Sequence, residues 1–135
     1  MTITIKGRPI SKKNSRRIFM RGRYPTSLPS EAYVRFEKEA IKQLELAALT
    51  YFDGYDDKKN KLYKSPVAIS NKCHINYVFH LKGLGNVDGD NLQAGINDIL
   101  QKAGIILNDR QMRSWSGEIF EGCDDWQTFI EITEL

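Results

Sequence analysis

The chain has no apolar run approaching the ~20 residues that a membrane-spanning helix needs, so a helical membrane protein is excluded. Its two cysteines, Cys73 and Cys123, lie far apart with no CxxC spacing around either. That argues against a structural disulfide between them in a chain without an export signal. The opening MTITIKGRPI carries no signal-peptide apolar core. Two buried or half-buried thiols are therefore expected, in a cytoplasmic protein with no membrane partner. No internal repeat or low-complexity tract interrupts the chain, and 135 residues suffice for one domain but not two. The most informative absence is that no acidic residue precedes Glu31. Lys6, Arg8, Lys12, Lys13, Arg16, Arg17, Arg21 and Arg23 crowd into that stretch, leaving 12 of the 20 basic residues to set against all 17 acidic ones. A net charge of +3 hides this polarity, which points to an anionic partner such as a phosphate backbone.

Periodicity then organises the chain. Residues 2–6 alternate as a short strand. Residues 7–29 contain Gly7, Pro9, Gly22, Pro25 and Pro29 and read as a basic loop, with a small hairpin around RIFMRGRYP. Ser30, with Ser27 as the alternative, caps a helix over 30–49 whose apolar face is Tyr33, Phe36, Ala40, Leu44 and Ala47. Residues 50–66 form a polar connection. From Val67 the period becomes two: Val67, Ile69, Cys73, Ile75, Tyr77, Phe79 and Leu81 share one parity, in one long strand or in two broken near Asn71. His74 and His80 fall on the polar face, six residues apart, and are not expected to act as a metal pair. A second helix over 90–103 buries Leu92, Ile96, Ile99, Leu100 and Ala103 and stops at Gly104. Residues 112–120 and 126–133 read as closing strands joined by EGCDD, with Trp126, Thr128, Ile130 and Ile132 on one side. The class is α+β, with a mixed sheet of four to five strands and two main helices.

The candidate chemistry starts at VDGDNL, residues 87–92. Asp88 and Asp90 flank a glycine just before a helix, and two readings are open: an acidic cap and turn, or part of a metal site. An EF-hand is excluded because Leu92, Gln93 and Ile99 occupy the positions that need acid, glycine and glutamate. The DxD of nucleotide-sugar transferases needs a nucleotide-binding sheet that a chain of this length hardly accommodates. A third carboxylate enters through length matching. The helix from Asn91 to Ala103 rises about 18 Å, and the segment to Asp109 covers about 17 Å if extended. A reversal at Gly104, with Ile105–Ile106–Leu107 packed along the helix, would return Asp109 to Asp88 and Asp90. Three gathered carboxylates repel unless a cation joins them, the helix N-terminus supplying about half a charge.

The stretch VDGDNLQAGINDILQKAGIILNDRQ, taken with GRPISKKNSRR, resembles the RusA family of Holliday-junction resolvases. The pattern D-x-D-N-L, a helix ending near A-G, an apolar triplet and an aspartate before x-Q spans about a fifth of the chain; elsewhere the match is one of order and character. The resemblance implies a Mg²⁺-dependent (or Mn²⁺-dependent) endonuclease, acting as a homodimer on four-way DNA junctions. It places the metal-binding and catalytic acids on Asp88, Asp90 and Asp109, with Asn91 shaping the turn. Lys12, Lys13, Arg16, Arg17, Arg21 and Arg23 would bind backbone phosphates. One departure stands out: where family members often carry lysine four residues after the second aspartate, this chain has Ala94, and Arg110 and Lys12 are the candidates to replace it. The alternatives are a non-catalytic branched-DNA-binding protein and a nuclease of broader branched-DNA specificity.

Overall fold

In a computed structural model, the described residues are 1–11, 16–52, 69–83 and 88–135. Lys12, Lys13, Val87 and most of the polar connection at 50–66 lie outside them. β1 (Thr2–Lys6) is followed by an antiparallel hairpin of β2 (Arg16–Arg21) and β3 (Tyr24–Pro29), in register from Arg16 opposite Pro29 to Arg21 opposite Tyr24. Gly22 sits at its tip with φ 66, a left-handed conformation that glycine adopts without Cβ strain. The hairpin expected around RIFMRGRYP is thus present, as a two-stranded sheet of its own.

α1 (Glu31–Phe52) begins where the Ser30 hydroxyl oxygen accepts the Tyr33 N–H at 3.1 Å. It runs past the expected end at residue 49, taking Thr50–Phe52 into the helix. Tyr33, Phe36, Ala40 and Leu44 are buried along one face, as their spacing predicts. β4 (Cys73–His80) alternates buried and half-buried, and the strand does break before it: Ile69 makes a separate parallel bridge to Ile106. α2 (Gly89–Lys102) buries Leu92, Gly95, Ile96, Ile99 and Leu100. It ends on Gly104 with φ 76, where Gly104 N–H donates to Gln101 O and Ile105 N–H to Leu100 O, which satisfies two terminal carbonyls.

A 3-10 turn at Asp109–Gln111 leads into β5 (Met112–Phe120), and β6 (Gln127–Glu134) closes the chain. The main sheet has the order β1-β6-β4-β5. β6 pairs antiparallel with both β1 and β4, while β5 runs parallel to β4. The two closing strands therefore flank β4 rather than pairing with each other, and β4–α2–β5 is a parallel crossover. The architecture is α+β, with four strands in a mixed sheet and two helices on one face.

The core lies between that face and the helices. Ile75, Tyr77 and Phe79 of β4 meet Thr128, Ile130 and Ile132 of β6 in register, all of them buried. Tyr77 donates its hydroxyl to Asn97 of α2, and burial, with Cys73 nearby, pushes its phenol well above the usual tyrosine range. Cys73 is buried and Cys123 half-buried, both as free thiols. Lys102 reaches the carboxylate of Glu37 at 2.9 Å, tying the end of α2 to α1. Among the described residues no helix is long and apolar enough to cross a membrane.

Gly95 lies on the buried face of α2, facing Ile10 and Tyr33. A Cβ built there would meet Ile10 O and the Tyr33 ring at 3.6 Å, ordinary van der Waals contact. Gly95→Ala is therefore expected to stabilise the fold by up to about 1 kcal/mol through helix propensity. Urea unfolding measures it, and a loss of stability would show that the helices cannot accept even a methyl group.

Candidate functional site

Asp88 is the N-cap of α2, at φ −81 and ψ 111. One carboxylate oxygen accepts the Asp90 N–H at 3.0 Å, and the other accepts Nδ2 of Asn91 at 3.2 Å. Its carbonyl accepts the Leu92 N–H at 3.1 Å. The local sequence explains the arrangement: Asp supplies the short acceptor, Gly89 starts the helix, and Asn91 reaches back one turn. The cap-and-turn reading of DGD is thus correct as far as it goes. Both Asp88 oxygens keep a further lone pair, and the Asp90 carboxylate is exposed on the next residue but one. Two carboxylates at a helix N-terminus suit a hard cation that keeps most of its waters, as Mg²⁺ does.

The cap and the charge are separable. Asn caps helices about as well as Asp, whereas Ala costs about 1 kcal/mol. Asp88→Asn is expected to keep the melting temperature within about a degree, and Asp88→Ala to lower it by roughly 3–5 °C. Equal losses in both variants would mean that the charge, not the cap, holds this end of α2.

Asp109 is elsewhere. The chain does turn back at Gly104, but it does not run along α2. Ile105 and Ile106 are buried at the end of the core, Ile105 O accepting the Ile69 N–H at 2.9 Å, while Leu107 is 60% exposed. The Asp109 N–H then donates to Oε1 of Gln101 in the last turn of α2, at 3.1 Å. Asp109 thus sits where β5 starts, beside Cys73 at the start of β4. Asp88 lies beyond the opposite end, where Gly89 meets Ile119 near the close of β5. β4 is eight residues long, so the two ends are on the order of 25 Å apart at ~3.3 Å per residue. The expected convergence of three aspartates within one chain is overturned. The segment that returns to the start of α2 is β5 itself, and Asp109 precedes it. Among the described residues, no group of three or more His, Cys, Asp or Glu side chains could hold a metal ion. Asp88 and Asp90 stand as a pair of carboxylates at the N-terminus of α2, without Asp109.

Arg110 accompanies Asp109 to that far end, exposed, and so is distant from Asp90. Ala94 is exposed one turn along α2 from Asp90, and brings no positive charge there. Arg16, Arg17 and Arg21 lie on the β2–β3 hairpin and exposed Arg23 in its turn. Arg8 stacks its guanidinium over Trp126, 5.1 Å from the ring centre, so part of the basic stretch is anchored to the sheet. The histidines have structural partners. His74 bonds Ser114 at 2.7 Å and Ser116 at 3.2 Å, and His80 lies edge-on to Phe120 and Phe129.

One residue of the motif carries more structure than its spacing suggested. Gln111 is buried, and its Nε2 donates to Ile69 O at 2.6 Å and Asn71 O at 3.0 Å. Its Oε1 accepts the N–H groups of Leu107 and Asn108. The Asn108 side chain in turn accepts Arg110 N–H at 2.9 Å. The signal in the sequence was a lone glutamine closing an apolar stretch, N-D-R-Q after I-I-L, which matches a capping box. In comparisons with protein-family models and with curated proteins, the chain matched no family model and no curated protein.

Proposed function

We propose that the protein is a Mg²⁺-dependent, structure-specific endodeoxyribonuclease that acts on four-way DNA junctions as a homodimer in the cytoplasm. The observation that carries the reading is the Asp88–Asp90 pair, held at the N-terminus of α2 beyond the end of β4. It stands in a motif that resembles the RusA family, in a chain whose first 23 residues hold eight basic groups and no acid. Residues of the basic stretch, Lys12, Lys13, Arg16, Arg17, Arg21 and Arg23, would contact backbone phosphates, giving salt-dependent and largely sequence-independent affinity. Asp88 and Asp90 would hold the cation against the scissile phosphate, with Asn91 keeping the Asp88 carboxylate oriented. Bound Mg²⁺ would supply a nucleophilic water and neutralise charge on the phosphate.

A second reading has a specific observation behind it. Asp109 is remote from the other two acids, and Ala94 stands where a lysine is expected, which favours a branched-DNA-binding protein without turnover. Incubating the wild-type chain with a synthetic four-way junction and Mg²⁺ separates the readings. Paired nicks in the junction, with linear duplex left intact, are expected. Binding without cleavage would support the second reading, and equal cutting of duplex would remove the junction specificity.

A further inference from the structure

A groove of about 340 Å³ opens between the end of β1 and α1, lined by none of the residues assigned above to cation or phosphate. Ligand clefts span about 300–1,000 Å³, so this one suits a single small group. Ile10 and Phe36 give it an apolar floor, and Lys6, Arg8, Arg35 and Glu39 surround that floor with exposed charge. Three cations thus stand against one carboxylate. The walls are fixed by the fold. Gln43 of α1 accepts the Lys6 N–H through Oε1 at 2.7 Å and donates Nε2 to Lys6 O at 3.0 Å, which ties the end of β1 to the helix. Arg8 is held by the Trp126 ring, which covers one face of its guanidinium and leaves the other for a second flat group.

An apolar floor under a positive rim selects a flat ligand that carries an anion. The chain around the groove narrows the choice. Ile10 leads directly into the basic segment, so a phosphate backbone lying on Lys12 to Arg23 reaches the groove without leaving positive charge. We propose that the groove holds one unpaired nucleotide of a DNA strand, with guanine preferred. The base lies on Ile10 and Phe36 against the open face of Arg8, and its flanking phosphates meet Lys6 and Arg35. Glu39 accepts from the pairing edge of the base. Guanine presents two adjacent N–H donors there, on N1 and N2, which one carboxylate accepts together. Lys42 stands 3.4 Å from one Glu39 oxygen, an exposed pair too weak to withhold the carboxylate.

The position of the groove also suits a strand that passes the acidic pair. Lys6 lies opposite Gln127 of β6, and Gln127 opposite His80, the last residue of β4. The groove therefore opens at the end of the sheet where Asp88 and Asp90 stand. From β1 to β5 is three strand positions, about 14 Å at ~4.8 Å each. A stacked strand covers that in about four nucleotides at ~3.4 Å per nucleotide. The inference rests on the basic segment as a DNA contact, and not on turnover at the acidic pair.

Fluorescence anisotropy at low salt tests it with two short single strands, one all thymidine and one with a single central dG. The dG strand is expected to bind roughly fivefold more tightly, the low end of what a bidentate base contact discriminates. Glu39→Gln should abolish the difference, and Arg35→Ala should weaken both strands about threefold or more, with unchanged melting temperatures. Arg113→Ala removes an equal charge from exposed β5, at the opposite edge of the sheet, and should leave the preference intact. With 6-thioguanine at the central position, photocross-links should fall in the segments that hold Ile10 and Phe36. Equal affinity for the two strands, a preference that survives Glu39→Gln, or cross-links confined to other segments overturns the proposal. Free deoxyguanosine monophosphate binding as tightly as the dG strand would make this a site for a small effector and overturn the DNA assignment. A wild type that shows the dG preference but cuts no junction removes the nuclease reading alone.

Discussion

Replacing Gln111 with leucine is expected to destabilise the protein by about 3–5 kcal/mol, the largest stability loss of any single polar substitution considered for this fold. The Gln111 amide closes four backbone groups at once: it donates to the carbonyls of Ile69 and Asn71 and accepts from the N–H groups of Leu107 and Asn108. Leucine has a similar volume and no polar atom, so it leaves the carbonyl of buried Ile69 and its neighbours without their partner. Each buried group so orphaned costs about 1–3 kcal/mol, and water recovers part of that where the site opens to solvent. Domains of this size have only about 5–15 kcal/mol of stability. The melting temperature should fall by roughly 10–20 °C. Thermal unfolding followed by circular dichroism measures it, and a loss below about 1 kcal/mol would show that water replaces the amide fully. The consequence extends to Asp109, because the Gln111 knot fixes the segment 105–111.

The second large effect is expected in activity, with the fold intact. Asp90→Asn should lower Mg²⁺-dependent junction cleavage by more than about 100-fold, beyond the 10–100-fold that follows loss of an outer-sphere partner. The Asp90 carboxylate is exposed and makes no hydrogen bond among the described residues, whereas its backbone N–H is what Asp88 caps. Asparagine keeps that N–H and removes only the charge. Melting temperature and junction affinity at fixed salt should therefore stay near those of the wild type while turnover disappears. A variant that cleaves within a few-fold of wild type would remove Asp90 from the metal site and take the nuclease reading with it. A variant that also loses DNA binding would mean that Asp90 helps to shape the binding surface.

Much of the local structure was legible in the residues. The period of two along Cys73–His80 marked β4, and the 3–4 spacing of Tyr33, Phe36, Ala40 and Leu44 marked α1. Gly104 stopped α2 because only a residue free of Cβ takes φ 76 there without strain. These features follow from contacts a few residues apart, which the sequence displays directly. The capping role of Asp88 was legible, since a short acid before a helix caps it whether or not it also binds a cation. Gln111 was visible as a motif position but not as a hub, because two of its four partners, Ile69 and Asn71, lie about forty residues away.

The site as a whole was not legible, and the reason is topological. Helix rise and strand rise determined that a chain reversing at Gly104 could carry Asp109 back to Asp88. They could not determine that it would. That choice depends on which strand follows α2 and in which direction it pairs. In this fold the chain, having reached the start of β4, lays β5 parallel to it, so the long return belongs to Met112–Phe120. Ile105 and Ile106 are buried at the end of the core, and the apolar face of α2 is covered without them. The sequence by itself determined the elements, the cap, the acidic pair and the unbalanced basic segment, since each is set by neighbours in the chain. Only the tertiary structure decided which acids share an end of the sheet and which edge stays open, because both depend on strand order, a long-range competition for buried area that local pattern does not record.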